Sequence, residues 1–249
     1  MTPSARYPSL AGRGVFISGG GSGIGAALTA RFAEQGARVG FVDLQDDVSQ
    51  ALAAKTGARY WRCDVRDTAA YQAIIREADR TIGPLRVLVN NAARDDRHAW
   101  DSVTPEYWDE IEAVNLKHHF FAIQAAAPLM AKAGGGSIVN LGSVSWMRRT
   151  PGMVAYTTAK AAINGLTRTM ARELGPLGIR VNALVPGAIM TERQRKLWLT
   201  PELERSFLDA QVLKFLLEPD HVAAMALFLA ADDSAGCSGQ NFIVDGGIS

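Results

Sequence analysis

A tyrosine and a lysine four residues apart, Tyr156 and Lys160, form the pair in this sequence best suited to acid–base chemistry. The stretch 155–174 is rich in Ala, Leu, Met, Arg and Glu and stops at Gly175-Pro176, which predicts one helix. Positions i and i+4 share a helix face, so the phenol and the ammonium are expected to project together. A cation beside a phenol lowers its pKa from about 10, which would let the pair take a proton from an alcohol. An ordinary exposed pair on a helix surface is the alternative.

Two further polar residues could take part in this chemistry. Ser143 follows the apolar run 137–141, where its hydroxyl could orient the oxygen of a substrate. Asn115 lies inside a long helix predicted to begin near Thr104-Pro105, although asparagine is unfavourable in the middle of a helix. Asn115 therefore suggests a local kink in the helix, a role in binding water, or a structural amide whose hydrogen bonds are all made within the protein.

The glycine-rich segment 19–25 could bind phosphate. It follows the short apolar run 14–18 and precedes a helical pattern in which Ile24, Leu28 and Phe32 recur at four-residue spacing. Backbone N–H groups with no Cβ in the way, at the positive end of a helix, suit an anion. The glycine spacing also fits a simple tight turn, so the segment does not decide the function alone.

An aspartate near the end of the second predicted strand, 37–44, suggests a dinucleotide. Asp43 stands where such enzymes hold the hydroxyls of the adenosine ribose. No arginine neighbours Asp43 in the sequence, and the neutral Ser22 stands where a basic residue could receive a 2′-phosphate. The cofactor prediction is therefore NAD rather than NADP. Alternatively, Asp43 only caps the helix that follows.

Strands and helices alternate about seven times along the chain. Strands are predicted at 14–18, 37–44, 59–65, 85–89, 137–141, 179–185 and 242–244. The pattern predicts an α/β fold, a Rossmann-like doubly wound parallel sheet of about seven strands with helices on both faces. Residues 1–249 are interpreted as a single domain, with a substrate lid of short helices at about 188–217.

Composition narrows the possible functions. The 249 residues carry a net charge of +1 without a basic stripe, so neither nucleic acid nor a membrane surface is expected as a partner. Cys63 and Cys237 have no metal-ligand spacing; no metal is predicted, and the two cysteines fit a reducing compartment. Residues 1–10 lack the apolar core of a signal peptide, and no apolar run approaches the length of a membrane span. A cytoplasmic protein is expected.

Taken together, the motifs resemble the short-chain dehydrogenase/reductase family over residues 11–249. They appear in family order as Ser18-Gly19-x-x-x-Gly23-Ile24-Gly25, Asp64, Asn90-Asn91-Ala92, Asn115, Ser143, Tyr156-x-x-x-Lys160 and Pro186-Gly187. Ser18 stands where threonine is usual, and Ala93 stands where glycine is usual.

This resemblance implies roles for individual residues. Tyr156 would be the catalytic acid/base, and Lys160 would lower its pKa and hold the nicotinamide ribose. Ser143 would hold the reacting oxygen, and Asn115 would support a water-mediated proton relay. The residues expected to bind the cofactor are Gly19, Ser22, Gly23, Ile24, Gly25, Asp43, Asp64, Val65, Asn91, Ala92, Tyr156, Lys160, Pro186, Gly187, Ile189 and Thr191.

Within the family, the chain is similar to bacterial aldose 1-dehydrogenases of the D-xylose type. The similarity lies in residues 7–10, 19–26, 95–98, 143–146, 191–194, 198 and 200–202. It implies NAD-dependent oxidation of a sugar hydroxyl, at C1 of a pentose or 6-deoxyhexose, to give the lactone. The residues expected to bind this substrate are Asp95, His98, Ser145, Trp146, Arg148 and Gln194. Family likeness also implies a homotetramer packed through the two long helices that contain Asn115 and Tyr156.

Two other functions stay open. Five arginines near the expected pocket could bind a carboxylate, which would suit a 2-keto-3-deoxy sugar acid; they are Arg94, Arg97, Arg148, Arg149 and Arg193. The neighbouring Asp95 and Asp96 favour a neutral aldose, because carboxylates accept hydrogen bonds from hydroxyls and repel an acid. A nucleotide-binding regulator without catalysis is the third reading, and the intact Ser143, Tyr156 and Lys160 argue against it.

Overall fold

A seven-stranded parallel sheet forms the centre of the computed structural model, which describes residues 5–197 and 200–249. In this part of the chain the strands are β1 Gly14–Ser18, β2 Arg38–Asp43, β3 Arg59–Arg62, β4 Leu85–Asn90, β5 Gly136–Leu141, β6 Ile179–Pro186 and β7 Asn241–Val244. They lie in the order β3-β2-β1-β4-β5-β6-β7, and each neighbouring pair is parallel. Trp198, one of the residues that carry the likeness to aldose dehydrogenases, lies outside the described residues.

Helices cover both faces of the sheet. They are α1 Gly23–Glu34, α2 Asp46–Thr56, α3 Thr68–Thr81, α4 Pro105–Glu112, α5 His118–Lys132, α6 Val154–Leu174, α7 Glu192–Leu197, α8 Pro201–Ala210 and α9 Pro219–Ala230. Because side chains alternate along a strand, Val15 and Ile17 of β1 pack toward α1 and α9, whereas Phe16 packs toward α3 and α5. The predicted doubly wound fold is confirmed.

The predicted lid corresponds to α7, α8 and the segments that flank them. Met190 donates its N–H to the carbonyl of Leu217 at 2.7 Å, so the two ends of this segment meet. The assignment of residues 1–249 to one domain with this lid stays a prediction. Among the described helices, none has the length and apolar character needed to span a membrane.

The order of the strands reverses between β1 and β4. The chain runs from β1 outward through β2 to β3, and then returns to place β4 on the other side of β1. In parallel sheets a crevice opens at the carboxyl ends of the strands where the order reverses, and ligands bind there. The glycine-rich segment after β1 and Asn91-Ala92 after β4 meet at this point.

A row of polar side chains is buried beneath the crevice. Ser18, Asn90 and Asn140 lie opposite one another at the ends of β1, β4 and β5, and each is 0% exposed. Asn90 Nδ2 donates to Asn140 Oδ1 at 2.9 Å. His118 and His119 cover the row from α5; burial lowers the pKa of His118 to about 3 and that of His119 well below its usual value.

We expect acid to destabilise the fold through these two histidines. Their native pKa values lie below the unfolded value of 6.5, so the unfolded chain binds more protons than the native chain as pH falls below 6.5. The free energy of unfolding should therefore fall by up to about 1.4 kcal/mol per pH unit for each histidine. His119→Phe removes one of these groups. Urea unfolding at about pH 7 and pH 5 should show a smaller loss for the variant than for the wild type, and equal losses would contradict this.

Candidate active site

A cleft of about 1140 Å³ lies along the carboxyl ends of the strands. Typical ligand pockets measure about 300–1,000 Å³, so the cleft has room for a cofactor and a substrate together. All the residues predicted to bind the cofactor lie on its wall.

The glycine-rich segment forms a tight wall that fits a diphosphate. A Cβ on Gly25 would lie 1.7 Å from the carbonyl oxygen of Gly19, so the start of α1 packs backbone against backbone. Gly19 has a φ of +64°, a left-handed conformation that favours glycine. Ser22, which precedes α1, makes no side-chain hydrogen bond to cap the helix, so its side chain satisfies none of the first N–H groups. Such groups at the positive end of a helix suit a phosphate anion.

Asp43 is held in place on the cleft wall at the end of β2. Its Oδ2 accepts a hydrogen bond from the N–H of Gly21 at 2.8 Å, and its Oδ1 accepts from the N–H groups of Leu44 and Gln45 at 2.8 and 3.0 Å. These bonds aim a fixed carboxylate at the cleft, which fits a ribose diol.

An arginine does stand beside Asp43 in space, although none neighbours it in sequence. Arg62 lies opposite Asp43 in the register of β2 and β3. Its guanidinium pairs with Asp46 at 3.2 Å and does not form part of the cleft wall. This neighbour could not be predicted from the sequence, because the pairing of β2 with β3 places it there.

Lys160 is buried beneath Tyr156 on α6. Its Nζ donates to the carbonyl of Leu141 at 2.8 Å and lies 5.7 Å from the centre of the Tyr156 ring. Loss of water lowers the pKa of Lys160 to about 7, against the opposing charge of Asp95. Burial raises the pKa of Tyr156 to about 12, and a hydrogen bond with Ser143 acts in the opposite direction.

The expectation that Lys160 lowers the pKa of Tyr156 stays a prediction. Burial thus opposes the charged form of both groups, the ammonium of Lys160 and the phenolate of Tyr156. In this structure the group that favours the phenolate most directly is the hydroxyl of Ser143.

Asn115 lies in a π-helical turn, Ala113–Lys117, between α4 and α5. Its Oδ1 accepts from the N–H of Arg94 at 2.9 Å, and its Nδ2 donates to the carbonyls of Arg94 and Ile111 at 3.0 and 3.1 Å. The side chain is fully buried and lies behind the cleft wall. Among the alternatives, the structure therefore favours the kink and the satisfied amide, while a water relay stays a prediction.

Four of the six residues predicted to bind the substrate line the cleft, namely Asp95, Ser145, Arg148 and Gln194. Asp95 Oδ2 accepts a hydrogen bond from Gln194 Nε2 at 3.1 Å. The charge of Asp95 raises the pKa of both Tyr156 and Lys160, which places this carboxylate near the two groups. Ser145 is buried, and its hydroxyl has no hydrogen-bond partner among the described residues.

His98 and Trp146 do not line this cleft, and their contact with a substrate stays a prediction. The ring of His98 meets Tyr107 edge-on, with 5.1 Å between the ring centres. Trp146 is 36% exposed on the turn after β5. Both lie on irregular segments, where tertiary packing decides the direction of a side chain.

Several wall residues were not predicted from the sequence, among them Arg66, Glu110, Thr150, Met153 and Phe207. Arg66 could have been found, since it directly follows the predicted Asp64-Val65. Glu110 had no local signal, because its position on the wall depends on how α4 packs.

The comparisons with known proteins decide the family. The model described as enoyl-(acyl carrier protein) reductase matches residues 19–249. D-xylose 1-dehydrogenase of Caulobacter vibrioides is 51% identical over 249 residues, with 98% of this chain and 98% of that protein covered. This chain belongs to the short-chain dehydrogenase/reductase family.

Other relatives agree with this assignment. A protein described as a probable galactose dehydrogenase of Rhizobium meliloti is 50% identical, with 99% of this chain and 98% of that protein covered. The structure of a short-chain type dehydrogenase/reductase from Mycobacterium ulcerans matches with a TM-score of 0.92 at 27% identity, covering 96% of this chain and 90% of that chain. The family prediction is confirmed: the chain is an enzyme that acts on CH–OH groups with a nicotinamide cofactor.

Gly25→Ala should impair cofactor binding because the new Cβ would collide with the backbone of Gly19. We expect the dissociation constant of ADP-ribose, measured by calorimetry, to rise by about tenfold or more, since the loop must move to relieve the overlap. Gly175→Ala is the matched control, because a Cβ there meets no atom within 4 Å and the backbone is helical. Equal affinities for the two variants would contradict the phosphate-binding role of the loop.

Proposed function

We propose that the protein is an NAD-dependent sugar dehydrogenase that oxidises the C1 hydroxyl of a pentose or 6-deoxyhexose to the lactone. The observation that carries the proposal is Asp95, a carboxylate on the cleft wall whose charge acts on Tyr156 and Lys160. A carboxylate there can accept hydrogen bonds from sugar hydroxyls. Full-length relatives named for D-xylose and galactose point to the same class of substrate.

In this proposal Tyr156 takes the proton of the sugar hydroxyl, and Ser143 holds the same oxygen. Ser143 also favours the ionised phenol, which matters because burial alone raises the pKa of Tyr156 to about 12. Lys160, fixed by Leu141, stands behind the phenol and would hold the nicotinamide ribose. When bound, NAD supplies the acceptor for the hydrogen and the two electrons that leave the C–H bond.

The residues around the cofactor support NAD. The start of α1 would hold the diphosphate, Asp43 the adenosine ribose, Asp64 and Val65 the adenine, and Ile189 and Thr191 the nicotinamide carboxamide. Asp43 would repel a 2′-phosphate. The wall beside it is formed by Leu44, Gln45 and Val48, which offer no positive charge.

A 2-keto-3-deoxy sugar acid is the alternative substrate. Arg94 and Arg193 support it poorly, since Asp96 and Glu110 pair with Arg94, while Asp95 and Asp96 pair with Arg193. Arg148 favours it, because this residue lines the cleft and forms no ion pair within the described part of the chain.

We also propose that the protein is a cytoplasmic homotetramer packed through α5 and α6. Support comes from Phe120 on α5 and Val154 on α6, two large apolar side chains that are 39% and 40% exposed. Apolar residues on a helix surface gain stability when a second copy covers them.

The NAD assignment predicts a preference for NAD over NADP of about a hundredfold in kcat/KM. A 2′-phosphate cannot donate the hydrogen bond that the 2′-hydroxyl would give to Asp43, and a hydrogen bond to a charged group contributes about 1.5–3 kcal/mol. Asp43→Asn should narrow the preference by about tenfold or more, since it removes the repelling charge at nearly constant shape. Asp47→Asn, an exposed site on α2, is the matched control and should leave the ratio unchanged. A wild type that uses both cofactors equally would refute the assignment.

The substrate proposal predicts that D-xylose, L-arabinose, D-galactose or fucose reduces NAD, measured as the absorbance of the reduced cofactor. Asp95→Asn should raise KM for the sugar by about tenfold, because a charged hydrogen bond is replaced by a neutral one. Arg148→Ala and the exposed control Arg149→Ala should change KM for the sugar little. The alternative substrate is supported by three results together: the neutral sugars are inert, a 2-keto-3-deoxy sugar acid is oxidised, and Arg148→Ala lowers kcat/KM for that acid by about a hundredfold.

A further inference from the structure

One carboxylate on α4 joins two walls of the cleft. Glu110 Oε1 lies 2.7 Å from Arg66 Nη1 and 2.6 Å from Arg94 Nη1. Arg66 follows β3 at the adenine end, whereas Arg94 begins the substrate loop, residues 94–98, after β4. All three side chains line the cleft.

On the adenine side, the chain of charges ends at a residue proposed to contact the cofactor. Arg66 Nη2 lies 2.6 Å from Asp64 Oδ2, and the N–H of Arg66 donates to Asp64 Oδ1 at 2.9 Å. Any ligand that fixes Asp64 therefore also restrains the Arg66 guanidinium.

On the substrate side, the chain continues into the lid. Arg94 Nε also binds Asp96, and Asp96 Oδ1 lies 3.4 Å from Arg193 Nη2 on α7. Arg193 Nη1 lies 3.3 Å from Asp95 Oδ1. The position of Asp95, the proposed sugar ligand, thus depends on the same ion pairs.

The backbone of Arg94 is held in place, so a change at Glu110 can move only the guanidinium end of this residue. Asn115 holds both the N–H and the carbonyl of Arg94 from the buried π-helical turn. A change at Glu110 therefore acts on the outer end of the Arg94 side chain and on its partners Asp96 and Arg193.

Each ion pair alone contributes little, since the side chains are 24–49% exposed and a single exposed pair gives about 0–1 kcal/mol. Glu110 differs because it separates two like charges. Without its negative charge, Arg66 would keep Asp64 and Arg94 would keep Asp96, but no group would join the two arginines and their like charges would repel each other. We expect the adenine edge and the substrate loop to move apart in that case.

We propose that Glu110 is a positioning residue that couples occupation of the adenine end to the arrangement of the substrate loop and lid. A nucleotide at Asp64 restrains Arg66, and Glu110 transmits this restraint through Arg94 to Asp96, Arg193 and Asp95. This inference rests on the proposed placement of the adenine and of the sugar. Coupling between two binding sites is reciprocal, so bound sugar should in turn raise the affinity for the nucleotide.

Hydrogen exchange with ADP tests the coupling without any sugar, because ADP lacks the nicotinamide ribose that would reach Lys160. In the wild type, saturating ADP should slow exchange in residues 19–25 and also in the substrate loop, by about fivefold. In Glu110→Gln, ADP should still slow exchange in residues 19–25 but should no longer slow it in the substrate loop. Glu106→Gln is the matched control on the same helix, since Glu106 is fully exposed and forms no ion pair in the described chain; it should behave as the wild type.

Kinetics provide the second readout. Glu110→Gln should raise KM for the sugar by about fivefold, with kcat changed by less than about twofold. Glu110→Asp should recover part of the loss, because it restores the charge. Two results would overturn the proposal. In the first, ADP slows hydrogen exchange in the substrate loop of Glu110→Gln as much as in the wild type; in the second, ADP does not slow exchange in that loop in the wild type. If no sugar is oxidised, the proposed function fails, while the ADP experiment still decides the coupling.

Discussion

The hydroxyl of Ser18 fixes the point from which both walls of the cleft begin. It accepts hydrogen bonds from the N–H groups of Asn91 and Ala92 at 3.0 and 3.1 Å. Asn91 Nδ2 in turn donates to the carbonyls of Ser18 and Gly19 at 3.0 and 2.8 Å. These bonds join the end of β1 to the chain leaving β4, where the strand order reverses. The glycine-rich segment 19–25 and the loop 94–98 therefore keep a fixed relation to each other, which a reaction between two bound ligands would require.

Burial decides the electrostatics of the proposed reacting centre. Lys160 is buried and Tyr156 is partly buried, so each favours its neutral form: the pKa of Tyr156 rises to about 12 and that of Lys160 falls to about 7. Ser143 acts to favour the phenolate, whereas Asp95 acts to favour the protonated forms. At neutral pH the phenol therefore keeps its proton and Lys160 is only partly charged, so the centre carries little net charge.

The sequence allowed prediction of features that depend on local spacing. Hydrophobic periodicity located the strands, and glycine spacing located the loop whose Gly25 contacts Gly19. Features that depend on distant contacts could not be predicted. Arg94 looked available to a substrate, but Glu110 and Asp96 neutralise it. The burial of Lys160 beside Tyr156 could not be predicted either, because helix spacing reports proximity and not burial.

Tyr156→Phe tests most directly the proposal that Tyr156 exchanges the proton of the substrate hydroxyl. The substitution removes the phenolic oxygen and leaves the ring. With an active sugar and NAD, kcat should fall by about a hundredfold or more, while the dissociation constant of NAD changes by less than about threefold. Tyr107→Phe, which removes a phenol that lies against His98, should keep most of its activity. A Tyr156→Phe enzyme that retains more than about a tenth of the wild-type kcat would show that another group carries the proton.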